Sequence, residues 1–259
     1  MVRDSSNDSR QVHRDPHRAY RAQCRPRQGE TAFQVVVEHT DLRIIASRDL
    51  SQEAHQIVRD LRAGLKTHIS LYPEFATSLT PLPLPEHASP LVQDMAEAAI
   101  LCNVGPMAAV AGAVAQHVAE ALVPLSKEVL VENGGDLYLA STQERIVGLL
   151  PDPNSEAFLG LKLAKEKFPV AVCASSATIG HSLSLGQGDL VVVTGKRAAV
   201  VDAAATALCN QLQSPGDLAR VVEAAQELAA TCRPKDIQGI FAQYGEEIAV
   251  WGDLELAAL

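Results

Sequence analysis

Aromatic side chains are scarce, at 4% of 259 residues, which excludes a core filled by large rings. Ala, Val and Leu must fill it instead, through small side chains and close backbone approach. There is no CxxC pair. The five cysteines, Cys24, Cys102, Cys173, Cys209 and Cys232, are odd in number and widely spaced, which argues against a disulfide framework and against a zinc knuckle. No apolar run or small-residue cleavage site marks the first 28 residues as a secretory signal, and no lipid-anchor pattern accompanies them. These absences predict a cytoplasmic protein with reduced thiols. A basic excess is also missing: 22 Lys and Arg stand against 31 Asp and Glu, a net charge of −9, which argues against a nucleic-acid partner gripped by global charge. Residues 1–28 nevertheless hold seven Arg and three Asp, a local surplus of +4 that leaves −13 on the remainder. We expect 1–28 to be a disordered basic tail and 29–259 to be a single domain, with two lobes joined near 80–90 as the alternative arrangement.

Hydrophobic patterning supplies the elements. Phe33–His39 and Leu42–Ser47 read as strands meeting at a tight turn. Ala54, Ile57, Val58, Leu61, Leu65 and Ile69 form one apolar stripe at spacings of three and four, so a helix follows, with Asp49 and Ser51 as cap candidates. The proline-rich stretch SLTPLPLPEHASP reads as an extended connection. A helix over 91–102 and another after Gly105-Pro106, reaching about Val123, come next. The uncharged stretch Ala98–Ala115 is long enough to raise the membrane question, but its Asn103, Gly105 and Pro106 predict a buried segment and no membrane partner. Its small face, Ala108, Ala111, Gly112 and Ala115, suits core packing, with a homo-oligomer interface as the alternative. Strand-like runs follow at Glu128–Glu132, Leu137–Ala140, Arg145–Leu150, Phe158–Leu163, Val170–Cys173 and Leu190–Thr194. Helices over Arg197–Leu212 and Pro215–Ala230 precede a strand pair around Ile237 and Ile248. Without strict βαβ alternation, the fold class is α+β, with mixed or antiparallel sheets and packed Ala-rich helices.

Three constellations could carry chemistry. Glu132-Asn133-Gly134-Gly135-Asp136 lies between two strands, and Asn-Gly is a preferred pair for a type I′ hairpin, so the turn alone can explain it. The functional reading is that the glycines let backbone approach a ligand while Glu132 and Asp136 accept from a ribose hydroxyl or hold a cation. The second is the Ser/Gly-rich stretch from Cys173 to Asp189, whose Ser175, Ser176, Thr178, Gly180, Ser182 and Ser184 offer hydroxyls and backbone N–H groups to phosphate, although no GK[ST] makes it a P-loop. A solvated loop is the plainer explanation. His181 could serve as a general acid or base, and Cys173 as a buried small hydrophobe or a thiolate. A Ser176–His181–Asp189 hydrolase triad lacks any nucleophile elbow. The third is Val201-Asp202-Ala203-Ala204-Ala205-Thr206, where Asp202 and Thr206 share a helix face and could address one hard cation such as Mg²⁺. Local helix capping would explain the same pair.

In order, HTDLRI, GPMAAVAGAVA, VENGGDLYL, CASSATIGHSLSLGQGDLVVV and VDAAATALCN resemble the short, uncharacterised ApbE-like family, relatives of the FAD:protein FMN transferases formerly annotated in thiamine biosynthesis. The similarity covers the chain from about Tyr20. It implies an ApbE-like fold, a flavin or other nucleotide-like small-molecule ligand (FAD or FMN) with Mg²⁺, and magnesium ligands at Asp202 and Thr206. On that basis we expect nucleotide contacts at Glu132, Asn133, Gly134, Gly135 and Asp136, phosphate contacts in the Ser175–Ser184 loop, and Asp202 and His181 as the catalytic candidates. The sequence departs from the transferases in lacking a D-P-x-T-G segment, which puts transfer chemistry in question. A noncatalytic flavin-binding or partner protein is therefore the alternative. A further implied role, in sulfur assimilation or homocysteine formation in anaerobes, would draw on Cys173.

Overall fold

The computed structural model describes residues 26–149, 159–177 and 186–258. In chain order its strands are β1 (Thr31–Val37), β2 (Thr40–Ala46), β3 (Val129–Asn133), β4 (Asp136–Ala140), β5 (Arg145–Leu149), β6 (Leu159–Leu163), β7 (Val170–Ser175), β8 (Leu190–Gly195), β9 (Gly239–Tyr244), β10 (Glu247–Gly252) and β11 (Glu255–Ala258). Its helices are α1 (Ser51–Leu71), the single turn α2 (Glu74–Thr77), α3 (Pro90–Cys102), α4 (Val110–Leu122), α5 (Ala198–Gln211) and α6 (Leu218–Thr231). Eight strands make one sheet in the order β1-β2-β3-β4-β7-β8-β9-β10, and β11-β6-β5 make a second. Among the described residues every pairing is antiparallel. The fold is α+β, and of the two sheet types expected from sequence the antiparallel one is realised.

Strand alternation divides the large sheet into two working faces. Val129 and Val131 of β3, Tyr138 of β4, and Ala171 and Cys173 of β7 face the helices and share a core with α1, α3, α4 and α5. Leu139, Val170, Val172, Val192 and Phe241 face the other way and pack against Leu149, Leu161 and Leu163 of the small sheet. The layers are thus helices, large sheet, small sheet. A buried cluster ties the outer sheet to the inner one: the Arg145 guanidinium bonds Glu30 and, at 2.7 Å, Glu128. Burial raises the Glu128 pKa, but bonds from Ser141, Thr142 and Arg145 outweigh it and hold the carboxyl down at about 2.

The α1 stripe behaves as its spacing implies. Ala54, Val58 and Leu65 are buried and Ile57, Leu61 and Ile69 pack against the same core, while Asp49 accepts the Ser51 N–H at 2.8 Å. Pro106 opens a short 3₁₀ turn that leads into α4. The stretch Pro106–Leu125 is apolar and long enough to cross a membrane by length and composition alone. Here its Gly112, Ala113, Val114, Ala115, Val118, Ala119 and Leu122 are buried, and α4 packs on β3, β4 and α5.

Because strand directions alternate, one end of the large sheet collects the turn at 38–39, the hairpin at Gly134-Gly135, the last residues of β7 and the turn after β9. Helix α5 runs toward this end. Gly186 passes so close to it that an added Cβ would lie 1.9 Å from the Cys209 carbonyl oxygen.

The approach of α4 to α5 is set by one glycine. A Cβ on Gly112 would lie 2.5 Å from the Ala198 carbonyl oxygen and 2.9 Å from the Asp202 Cβ. Both neighbours are main chain or stiff side chain, so the helices themselves must separate. Gly112→Ala is expected to lower stability by about 1–3 kcal/mol in urea unfolding, and an unchanged midpoint would show that the helices do not meet this closely.

Candidate functional site

The hairpin between β3 and β4 has Gly134 and Gly135 as its two central residues, with φ of 69° and 108°, and Asn133 opposite Asp136 as its closing pair. Positive φ at both centres is what a two-residue type I′ connection demands. This corrects the reading of Asn-Gly as the central pair: Asn133 ends β3 and is not among the residues at positive φ. A Cβ at Gly135 would meet nothing within 4 Å, so backbone conformation, not crowding, calls for glycine there.

Alternation separates two residues that the sequence places together. Asp136 lies on the same face of β4 as Tyr138, toward the helices, whereas Glu132 shares the opposite face of β3 with Leu130, toward the small sheet. Glu132 folds back on the turn and accepts the Gly135 N–H at 3.0 Å. The two carboxylates therefore do not line one surface.

What the fold does bring together is Asp136, Cys173 and Asp202. The Asp136 Oδ1 accepts the Ala174 N–H at 3.2 Å, and the Cys173 thiol also bonds this carboxyl. The Cys173 Sγ lies 3.8 Å from the Ala198 carbonyl oxygen of α5. From α5, the Asp202 Oδ2 accepts the Gly112 N–H at 2.8 Å, and the Ala111 N–H also bonds Asp202. These donors belong to the amino-terminal turn of α4, where backbone N–H groups lack carbonyl partners of their own. Both aspartates are buried, at 5% and 7% exposure. Burial pushes the Asp136 pKa well above the ordinary aspartate range, and the Asp202 charge adds to the rise. Burial also pushes Asp202 up to about 7, against the lowering effect of the Gly112 and Ala111 N–H groups. Among the described residues neither carboxyl has a lysine or arginine partner.

The remaining candidates are placed as follows. Thr206 is half-buried, one turn beyond Asp202 on α5. Ser175 is buried at the end of β7 on the helix-facing side, in line with Cys173. Ser176 follows it at the start of the connection to β8, whose two flanks are joined by the Ala177 N–H and the Gly188 carbonyl at 3.1 Å. Thr178, Gly180, His181, Ser182 and Ser184 lie outside the described residues. Asp189 accepts the Gly245 N–H at 2.5 Å and so turns toward the β9–β10 connection. Cys173 is fully buried, and burial with the neighbouring Asp136 and Asp202 charges pushes its thiol up, so it is a protonated packing group, not a thiolate. A cleft of about 300 Å³ between α1, α3 and α4, lined by Ile57, Asp60, Leu61, Ser89 and His117 among others, includes none of these residues.

Among the described residues no three His, Cys, Asp or Glu side chains are grouped to hold a metal ion by themselves. Two buried carboxyls with a hydroxyl one turn away suit a hard cation that takes its remaining oxygens from backbone, water or a ligand's phosphates. The groups that sequence reasoning did not single out are the backbone N–H groups of Ala111 and Gly112. Their signal was a glycine inside an alanine-rich helix.

A UPF0280 protein of Methanocaldococcus jannaschii is 34% identical over 228 residues, covering 85% of this chain and 90% of its own length. A UPF0280 protein of Methanococcus maripaludis is 38% identical over 197 residues, covering 74% of this chain and 78% of its own. Among solved structures, a variant of the flavin transferase ApbE from Vibrio cholerae superposes with a TM-score of 0.53 at 12% identity, over 86% of this chain and 97% of that one. The ApbE protein of Thermotoga maritima gives 0.51 at 11%, over 85% and 96%; at these identities the likeness is one of fold. The family described as AbpE bacteria matches residues 21–250, and the chain belongs to that family.

Proposed function

We propose that this chain binds a flavin nucleotide, FAD or FMN, together with Mg²⁺ at the end of the large sheet where Asp136 meets Asp202, and that it transfers or cleaves at the pyrophosphate. The observation that carries this reading is the buried pair of carboxyls with raised proton affinity and no cationic side chain beside it among the described residues. Such a pair needs a proton or a cation to be neutral. Asp136 and Asp202 would hold the ion, with Thr206 on the same face of α5. A divalent cation there supplies charge neutralisation at phosphoryl oxygens. The fold shared with the flavin transferases supports a flavin as the nucleotide.

The other roles keep their sequence assignments. Asn133, Gly134 and Gly135 border the site from the hairpin and Ser175 and Ser176 from the end of β7, while the loop containing Thr178, Gly180, Ser182 and Ser184 is assigned to the phosphates. His181 is the candidate acid or base. The ligand is a small nucleotide-like molecule, with no nucleic-acid partner. Attack on FAD by water yields FMN and AMP. Attack by a hydroxyl acceptor yields an FMN ester and AMP, with the acceptor's proton released. AMP is thus common to both reactions. The missing D-P-x-T-G segment favours one competing reading, a flavin binder without turnover.

Titration with FAD, FMN and ADP, with and without Mg²⁺, followed by mass spectrometry for AMP, separates these. Mg²⁺-dependent FAD binding and AMP release, both lost in Asp202→Ala, are the expected results. Binding without AMP leaves the noncatalytic reading, and an Asp202→Ala protein that binds and turns over as before overturns the site.

The raised carboxyl pKa values also set a pH dependence. A group that binds its proton more tightly when folded contributes least stability once deprotonated. The contribution of Asp202 to the metal-free protein's stability is therefore expected to be full below about pH 4 and to be lost as pH rises through about 7, where Asp202 ionises. Mg²⁺ competes with that proton, so the rise in Tm it produces is larger at pH 8 than at pH 5. A Tm increment independent of pH, or retained in Asp202→Asn, contradicts the assignment.

A further inference from the structure

We propose that Asn133 is a positioning residue for Asp202, acting through the single peptide group that joins Ala111 to Gly112. This rests on the Asp136–Asp202 site proposed above. The Asn133 Nδ2 donates to the Ala111 carbonyl oxygen at 3.1 Å, and the Gly112 N–H of the same peptide donates to the Asp202 Oδ2 at 2.8 Å. One planar group is held at both ends, by the hairpin on its carbonyl side and by α5 on its amide side. A hydrogen bond accepted by the carbonyl also polarises the N–H of that peptide, so the two bonds strengthen each other.

The usual reasons for asparagine at a hairpin do not apply. Asn133 is absent from the residues at positive φ, and the turn's conformational demand is met by Gly134 and Gly135. Its side chain points to the helix face of the sheet, the face of Val131, and its partner, the Ala111 carbonyl oxygen, is on α4. Because Asn133 is also the closing partner of Asp136, it links the hairpin that carries one carboxylate to the helix turn that orients the other. A second strut works from the same helix: the Gln116 Oε1 accepts the Ala198 N–H at 2.6 Å at the start of α5. The structure thus assigns Asn133 to the scaffold of the carboxyl pair, where sequence reasoning made it a nucleotide contact.

The test is amide exchange by NMR combined with Mg²⁺ titration of the full chain. In Asn133→Ala the Gly112 amide is expected to exchange about 5- to 10-fold faster, the effect of one weakened hydrogen bond. Exchange in β8, for example at Val192, stays unchanged, and Mg²⁺ affinity falls by about 10- to 100-fold. Asn133→Gln, which carries the same amide on a longer arm, restores part of both. Asn133→Ser, too short to reach, reproduces the loss should the alanine variant fold poorly. Unchanged Gly112 exchange, or acceleration shared equally by β8, overturns the positioning role. If the wild-type chain shows no Mg²⁺ response while Gly112 exchange still depends on Asn133, the cation reading fails and the positioning of Asp202 stands.

Discussion

Asp202 hangs from α5 with its carboxylate against the opening turn of α4, and the geometry of the site depends on that contact. Gly112 permits it by carrying no Cβ where the two helices meet, and the Gly112 N–H fixes the carboxylate's direction. With α4 lying on β3 and β4, and α5 on β7 and β8, this inter-helix contact determines where Asp202 lies relative to Asp136 on the sheet below. A shift of either helix would separate the pair or expose it to water.

Burying two carboxyls side by side is unfavourable, and the protein distributes the compensation over backbone N–H groups of Ala174, Gly112 and Ala111 and the thiol of Cys173. These are dipoles, not charges. They lower the cost of ionisation without removing it, which is why both carboxyls retain raised proton affinity. Where the fold needs a buried charge only for cohesion it uses a different solution: Arg145 lies against Glu30 and Glu128, and there the carboxyls are held down. The contrast between the two clusters, one held by a guanidinium and one without a cationic partner among the described residues, is the physical basis for assigning the second to a ligand.

Much of this architecture was legible in the sequence. The α1 stripe, the Gly105-Pro106 break, the hairpin glycines and the strand runs each carry a local signal, and the structure places elements close to those boundaries. Other features depend on tertiary pairing. Strand β11, Glu-Leu-Ala-Ala, is short and largely exposed, so no apolar alternation announces it, yet it completes the small sheet. Periodicity identified β5 and β6 as strands without showing that they leave the main sheet. The face occupied by Glu132 follows from register once β3 is fixed, and a one-residue difference in strand phase decides it. The Asp202–Thr206 spacing was visible, whereas the meeting of Asp202 with Asp136, 66 positions earlier in the chain, had no signal in the sequence.

The central claim is that a divalent cation enters between Asp136 and Asp202. Substoichiometric Mn²⁺, added to the labelled protein while amide resonances are followed, tests it directly, because paramagnetic broadening reports position. The account predicts that the Ala111, Gly112, Ala174 and Asp202 amides broaden first. Broadening spread over exposed acidic residues such as Glu74 or Glu246, with those four amides untouched, would contradict it.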